Sequence, residues 1–435
     1  MSWRPTILWG LTTFLCVGIL PDVRRVPVAH AASNELRAGA SRETFTLPPS
    51  VPLAGYSRRK GKPSQGRHDP VGVRALVMQE GTTTAALVSC DLLIVDERLF
   101  DAVRVRLAAA GLPSDILLLV AATHTHSGPG AYGARFVEKI SMGHFDPEVF
   151  EAIAGSIAHA IRAAYAQLSP AQVAFHSSLT DGLIKNRLEA GGETDAEVTV
   201  FAVYRHGEEE PLGVVVGFAA HPTTLGAWNR QLSADYPGII AREVERRFPS
   251  SACLFFAGAV GDQAPVKQGS GFEPAERLGA ELAARAITLL EQGTPHPAAS
   301  LRGLQDMLPL PPARVRINRL ALPRWLGARF VDDDAHLSLL VVGKTVFVGV
   351  PCDLTTSLGG QLKTAARTHG FDPVIVGFAN DYIGYCVPEA LYEQRQYESS
   401  MAFNGPRTGE LVVERLKVMI GRIATSDKQQ ATREP

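Results

Sequence analysis

Cysteine is scarce in this sequence, with five in 435 residues and no Cys-x-x-Cys spacing. That excludes a disulfide-stapled scaffold, which needs bridges at high density, and a cysteine-based zinc knuckle or redox motif. An excess of basic charge is missing too, because 43 Lys and Arg face 44 Asp and Glu. Without that excess a long nucleic-acid surface cannot neutralise phosphates, so no nucleic-acid partner is expected. No Gly-x-Ser-x-Gly elbow occurs, which argues against a serine hydrolase. Gly and Pro are scattered rather than concentrated, so disorder is expected only at the ends. What remains is an ordinary apolar content on a chain long enough for a large core.

The first residues have the layout of an export signal. Arg4 is basic, Ile7 to Leu20 is uncharged and mostly apolar, Pro21 ends the run, and Ala29-His30-Ala31 offers a small-x-small cleavage pattern. The run is shorter than the roughly 20 residues a spanning helix takes. Residues 1–31 are therefore expected to be a signal peptide and the chain to be exported, secreted or periplasmic. Arg24-Arg25 supports the alternative of an N-terminal membrane anchor. Residues 32–425 are expected to form one domain, and the polar tail 426–435 to be disordered. Removing the signal leaves Cys90, Cys253, Cys352 and Cys386, whose pairing spacing does not reveal.

Apolar periodicity suggests an α/β fold of layered mixed β-sheets flanked by helices, built from three similar ββαβ segments. In the first, Val71–Met78 and Thr84–Cys90 read as a hairpin, Asp96–Ala110 as a helix, and Ile116–Ala122 as a strand entering Thr123-His124-Thr125-His126. The middle segment runs Val198–Tyr204, Leu212–Phe218, a helix Tyr236–Phe248 and Cys253–Ala257, with His221 after its hairpin. The last runs His336–Val342, Thr345–Val350, Leu358–Thr368 and Val374–Phe378. Cys-Asp-Leu follows the hairpin twice, at 90–92 and 352–354. Stretches 293–297 and 308–312 read as loops. Strand ends in such folds carry sites, so His124, His221 and Asp353 are expected at one edge.

Thr123 to Gly130, Thr-His-Thr-His-Ser-Gly-Pro-Gly, is the sharpest signal. Histidines at i and i+2 on an extended segment point to opposite sides, so His124 and His126 are expected to do different work. The Gly-Pro-Gly that follows is expected to turn the chain and open space for a small ligand. Two or three His with one acid is a common zinc set in hydrolases, and Asp353 supplies the acid.

Across Arg37 to Lys417 the sequence resembles the N-terminal catalytic domain of the neutral/alkaline, non-lysosomal ceramidases. The matching stretches are Ala54-Gly55-Tyr56-Ser57, Thr123–Gly130, Asn186-Arg187, Gly261-Asp262, and a run from Gly377 through Asn380, Tyr385, Tyr392, Gln394 and Tyr397 to Gly405-Pro406. The resemblance implies a zinc-dependent hydrolase of N-acyl amide bonds acting on a small-molecule or lipid substrate, with peripheral contact to a membrane surface. It implies Zn2+ held by His124, His221, Asp353 and Tyr385, and active-site roles for His126, Arg187 and Tyr397. A tyrosine can serve only because a cation lowers its pKa from about 10. His126 is then expected to transfer protons, Arg187 to fix a polar group, and Tyr397 to donate to the oxyanion. Asp91, at the first Cys-Asp-Leu, is expected to be structural.

Two departures bear on the substrate. Asp353 stands where the family has glutamate, and Ala264 where it has a serine. The resemblance also stops short of the family's immunoglobulin-like C-terminal domain, so weaker cleavage of long-chain ceramide is expected. A zinc esterase or other amidohydrolase, and an inactive exported binding protein of the same fold, are the alternatives.

Overall fold

The structure is a computed structural model that describes residue 1 and residues 35–297, 300–317, 320, 321, 323, 327 and 331–431. The expected signal segment lies outside the described residues, apart from Met1. The described residues from 35 to 431 form one compact unit.

Strand β2 (Gly72–Glu80) shows how the layers arise. Val73, Ala75 and Val77 enter one apolar core, and Leu76 and Met78 enter another on the opposite face. Apolar residues on both faces of a period-two element suit a strand covered on both sides. β2 belongs to an eight-stranded mixed sheet with β1 (Arg37–Thr44), β3 (Thr83–Cys90), β4 (Leu117–Ala122), β5 (Ser169–Leu179), β7 (Glu197–Arg205), β8 (Pro211–Phe218) and β9 (Ala252–Ala257). Their order is β4-β3-β2-β1-β5-β7-β8-β9. A second sheet holds β11 (Leu301–Pro309), β14 (Asp334–Val342), β15 (Thr345–Val350) and β17 (Asp372–Gly377), in that order.

Helices α1 (Glu97–Ala109), α3 (Pro147–Tyr165), α4 (Asp235–Arg247) and α5 (Glu273–Gln292) supply the apolar residues that cover the outer face of the large sheet. α6 (Thr356–Thr368) and α9 (Thr408–Ala431) do the same for the small sheet. Between the sheets, Leu76, Phe201 and Phe256 meet Leu340, Phe347 and Val376. Phe201 and Phe347 pack edge-to-face at 5.2 Å. The architecture is helix, sheet, sheet, helix.

Antiparallel β2–β3 leads through α1 to β4, which pairs parallel with β3. β7–β8 leads through α4 to parallel β9, and β14–β15 through α6 to parallel β17. A parallel partner needs a crossover, and it brings both strands' carboxyl ends to one edge. The two sheets touch there. Ala121 bridges Ala379, and the Asn380 side chain accepts from Val120 N (2.8 Å) and donates to Leu118 O and Ser338 Oγ (both 2.9 Å).

Two expectations fail at boundaries. α9 continues to Ala431, past Ser426 where disorder was expected, because residues 426–431 contain no Gly or Pro and extend a helix already nucleated. Leu308 and Pro309 belong to β11 rather than to a loop, since an edge strand tolerates proline. Cys90, Cys253, Cys352 and Cys386 are buried and free. Among the described residues no helix is long and apolar enough to cross a membrane.

Candidate metal and catalytic site

The chain leaves β4 and turns sharply at His124, whose φ is +62°. That left-handed residue breaks the extended alternation on which the sequence reading relied. His124 and His126 therefore converge instead of pointing to opposite sides, and their Nε2 atoms lie 3.2 Å apart. Neither Gly128 nor Gly130 has a positive φ. A Cβ at Gly128 would lie 2.7 Å from Asp91 O, and one at Gly130 2.2 Å from Met142 O. These glycines permit close packing and do not open a ligand space.

His221 arrives from the loop after β8, and its Nε2 lies 3.0 Å from those of both His124 and His126. The rings are locked from behind. His124 Nδ1 donates to Leu93 O (2.6 Å) and His221 Nδ1 to Val260 O (3.3 Å). Carbonyls only accept, so both Nδ1 atoms carry the proton. Burial pushes the His124 pKa down to about 3 and those of His126 and His221 well below the usual histidine value. On neutral rings so oriented, the Nε2 atoms of His124 and His221 present lone pairs to each other. Such a pair at 3.0 Å calls for a positive charge between them.

Asp353 completes the cluster from a two-stranded ribbon that follows β15 of the small sheet. It lies on β16 (Asp353–Leu354), which pairs parallel with β18 (Tyr385–Cys386) in the register Asp353↔Tyr385. Its side chain is 1% exposed. Oδ2 accepts from Tyr382 Oη at 2.8 Å. Oδ1 makes no hydrogen bond among the described residues and lies 3.5 Å from His124 Nε2. Burial raises the Asp353 pKa to about 7 against the Tyr382 hydrogen bond, the Arg187 charge and the nearby Tyr385 hydroxyl. Buried imidazole lone pairs with an unpartnered carboxylate oxygen fit a first-row divalent ion. The carbonyls behind His124 and His221 are the support such ligands need.

Around this centre, Tyr385 Oη accepts from Arg187 Nη2 at 2.9 Å. Arg187 also donates to Gly261 O (2.6 Å), and its Nε lies 3.2 Å from Glu398 Oε1. Burial and the Asp353 charge raise the Tyr385 pKa well above that of a free tyrosine. Tyr397 stands at the rim, 63% exposed, with its ring edge-on to Tyr385 at 5.9 Å. His124, His126, Asp353, Tyr385 and Tyr397 line one cleft, whose apolar wall includes Leu93, Ile94, Met142, Met401 and Phe403.

Residues 38–271 match the family described as neutral/alkaline non-lysosomal ceramidase, N-terminal. The chain belongs to the neutral/alkaline non-lysosomal ceramidase family. It is 27% identical to a neutral ceramidase of Mycobacterium tuberculosis over 45% of this chain and 33% of that protein. It is 26% identical to one of Pseudomonas aeruginosa over 56% and 40% of the two chains, and 22% identical to one of Drosophila melanogaster over 91% and 76%. The match thus spans less than half the length of the two bacterial relatives. The crystal structure of the Pseudomonas aeruginosa neutral ceramidase superposes with a TM-score of 0.80 at 21% identity, covering 91% of this chain and 75% of that one.

The ceramidase match spans His124, His126, Arg187 and His221; Asp353, Tyr385 and Tyr397 lie beyond it. Two other acids serve the frame of this ceramidase-family fold. Asp91 Oδ2 accepts from Gly72 N (2.9 Å) and pairs with Arg74, and Asp262 Oδ1 accepts from Thr356 N and Oγ1 (both 2.8 Å). Ala264 sits in a ribbon formed by β10 (Gln263–Pro265) and β6 (Ile184–Asn186), opposite Lys185. Several positioning groups escaped the sequence reading. Phe378 stacks on His124 at 3.7 Å, and buried Arg59 donates to His126 O (2.6 Å) and Ala54 O (2.7 Å). Tyr382 and Glu398 are the others. Each acts through a neighbour, so no spacing in the sequence marks it.

Proposed function

We propose that the chain is a zinc-dependent hydrolase of the amide bond of ceramide-like N-acyl lipids, exported through its N-terminal signal. The observation that carries this reading is the convergence of three imidazole Nε2 atoms and the unpartnered Asp353 Oδ1 in a ceramidase-family chain. His124, His221, Asp353 and Tyr385 would hold the zinc. Bound there, zinc supplies Lewis acidity and lowers the pKa of water toward about 7.

The chain's own groups do the rest. His126 Nε2 is aimed at the same point as the other two imidazoles, so it can take the proton of the attacking water and return it to the leaving nitrogen. Arg187 sits at the Tyr385 hydroxyl and favours its phenolate form, with Glu398 balancing the guanidinium charge. Tyr397, open to solvent at the rim, donates to the carbonyl oxygen as negative charge develops. The apolar wall from Leu93 to Phe403 receives the acyl chain.

Elemental analysis combined with hydrolysis of a short-chain fluorescent ceramide tests the proposal. About one zinc per chain is expected, lost with activity in His124→Ala and His221→Ala. His126→Ala should lower kcat at least about 100-fold; retention of the metal assigns it proton transfer, and loss of the metal makes it a third imidazole ligand. A chain that takes up no zinc, or that cleaves an ester analogue and spares the amide, would sink it.

A further inference from the structure

Asp353 has a short arm and two freely rotating torsions, so something must decide which carboxylate oxygen faces the imidazoles. We infer that Tyr382 is the positioning residue that aims Asp353 Oδ1 into the metal site by holding Oδ2. This role rests on the metal-site reading above. The Tyr382 hydroxyl donates to Oδ2 at 2.8 Å, while Oδ1 has no hydrogen-bond partner among the described residues. Oδ1 lies 3.5 Å from His124 Nε2, the nitrogen that faces the other imidazoles. A carboxylate with one oxygen committed can turn the other only one way.

The holder is itself held. Tyr382 N donates to Asp381 Oδ1 at 2.6 Å, and its ring lies 6.2 Å from that of Phe378 at an interplanar angle of 27°. Phe378 in turn stacks face-on against the His124 ring. Phe378 and Asn380 both have left-handed backbones, at φ +57° and +64°. Such a turn costs free energy and persists only where its surroundings over-determine it, and the three Asn380 side-chain hydrogen bonds do so here. One rigid turn, 378–382, thus orients an imidazole through a ring stack and a carboxylate through a hydroxyl.

The test measures zinc affinity by chelator competition in the full chain, for the parent, Tyr382→Phe, Asp353→Asn and the double variant. Tyr382→Phe removes one oxygen and keeps the ring. It is expected to lower zinc affinity about 10- to 100-fold in the parent, and by less than about twofold once Asp353 is already Asn. The visible absorption of the cobalt(II)-loaded chain should change with Tyr382→Phe in the parent and stay constant in the Asp353→Asn background. An equal loss in both backgrounds, the mark of a hydroxyl that merely supports the fold, overturns the role. So does an affinity in Tyr382→Phe within about twofold of the parent. A parent chain that binds no zinc overturns the metal site itself, and this role with it.

Discussion

Gly55 lies against His126 with φ +102°, and a Cβ there would sit 2.7 Å from His126 Cα, Cβ and Cγ. Neither the backbone angle nor the space admits a side chain. The same segment holds His126 from its carbonyl, through the Arg59 guanidinium, whose burial pushes its pKa down to about 10 but leaves it a cation. Gly55→Ala should cost about 1 to 3 kcal/mol in backbone strain, besides the overlap with His126, and displace the imidazole. A shift of about 1 Å in a reacting group is worth on the order of 100-fold in rate. The expected outcome is a folded chain whose kcat drops by that order while zinc content is retained. Unchanged kcat in a variant that melts near the parent would mean that His126 is not held from this side.

Helix α2 (Phe136–Met142) forms one wall of the cleft, and its Glu138 accepts from Arg135 N at 2.7 Å to cap the helix start. Burial first, and then the nearby Asp96 charge, raise the Glu138 pKa above the ordinary glutamate value of about 4.3. The folded state therefore holds this proton more tightly than the unfolded chain does. The sign follows: the destabilisation is absent below the unfolded pKa, grows as pH rises toward the folded one, and is complete above it. Glu138→Gln keeps an acceptor for Arg135 N and removes the charge. Relative to the parent, its stability should rise with pH, by roughly 1 to 2 kcal/mol between pH 4 and pH 8. Denaturant melts at several pH values check this, and a pH-independent difference would refute it.

At the scale of the molecule, the histidines descend from the eight-stranded sheet, whereas Asp353 and Tyr385 descend from the segment of the four-stranded sheet. The site therefore depends on how the two sheets pack. Phe347, wholly buried between them against Phe201, tests that dependence. Phe347→Ala should cost about 3 to 5 kcal/mol as transfer and cavity terms add. It should also weaken zinc retention, because the two halves of the ligand set lose their register. Leu282→Ala, in the core beneath the helices on the far face of the large sheet, should cost about 2 to 5 kcal/mol and leave zinc affinity close to that of the parent. If both variants lose zinc equally at matched stability, inter-sheet packing does not govern the site.

The elements themselves were legible in the amino-acid pattern. Hairpins, crossover helices and returning strands show through because buried strands read as apolar runs and helices as a 3.6-residue period, both local properties. His124, His221 and Asp353 could be placed at strand ends for the same reason, and the family's motifs added Tyr385, Tyr397 and Arg187. What the pattern could not convey was direction. A single left-handed residue at His124 turned two side chains expected to diverge into neighbours 3.2 Å apart. Glycines that read as makers of space proved to be points of backbone contact. Tyr382 and Phe378, which aim groups belonging to other residues, carry no spacing signal at all. Local composition determines which elements form. Only the packing of two sheets, and the backbone angles that packing can hold, decides which side chains meet.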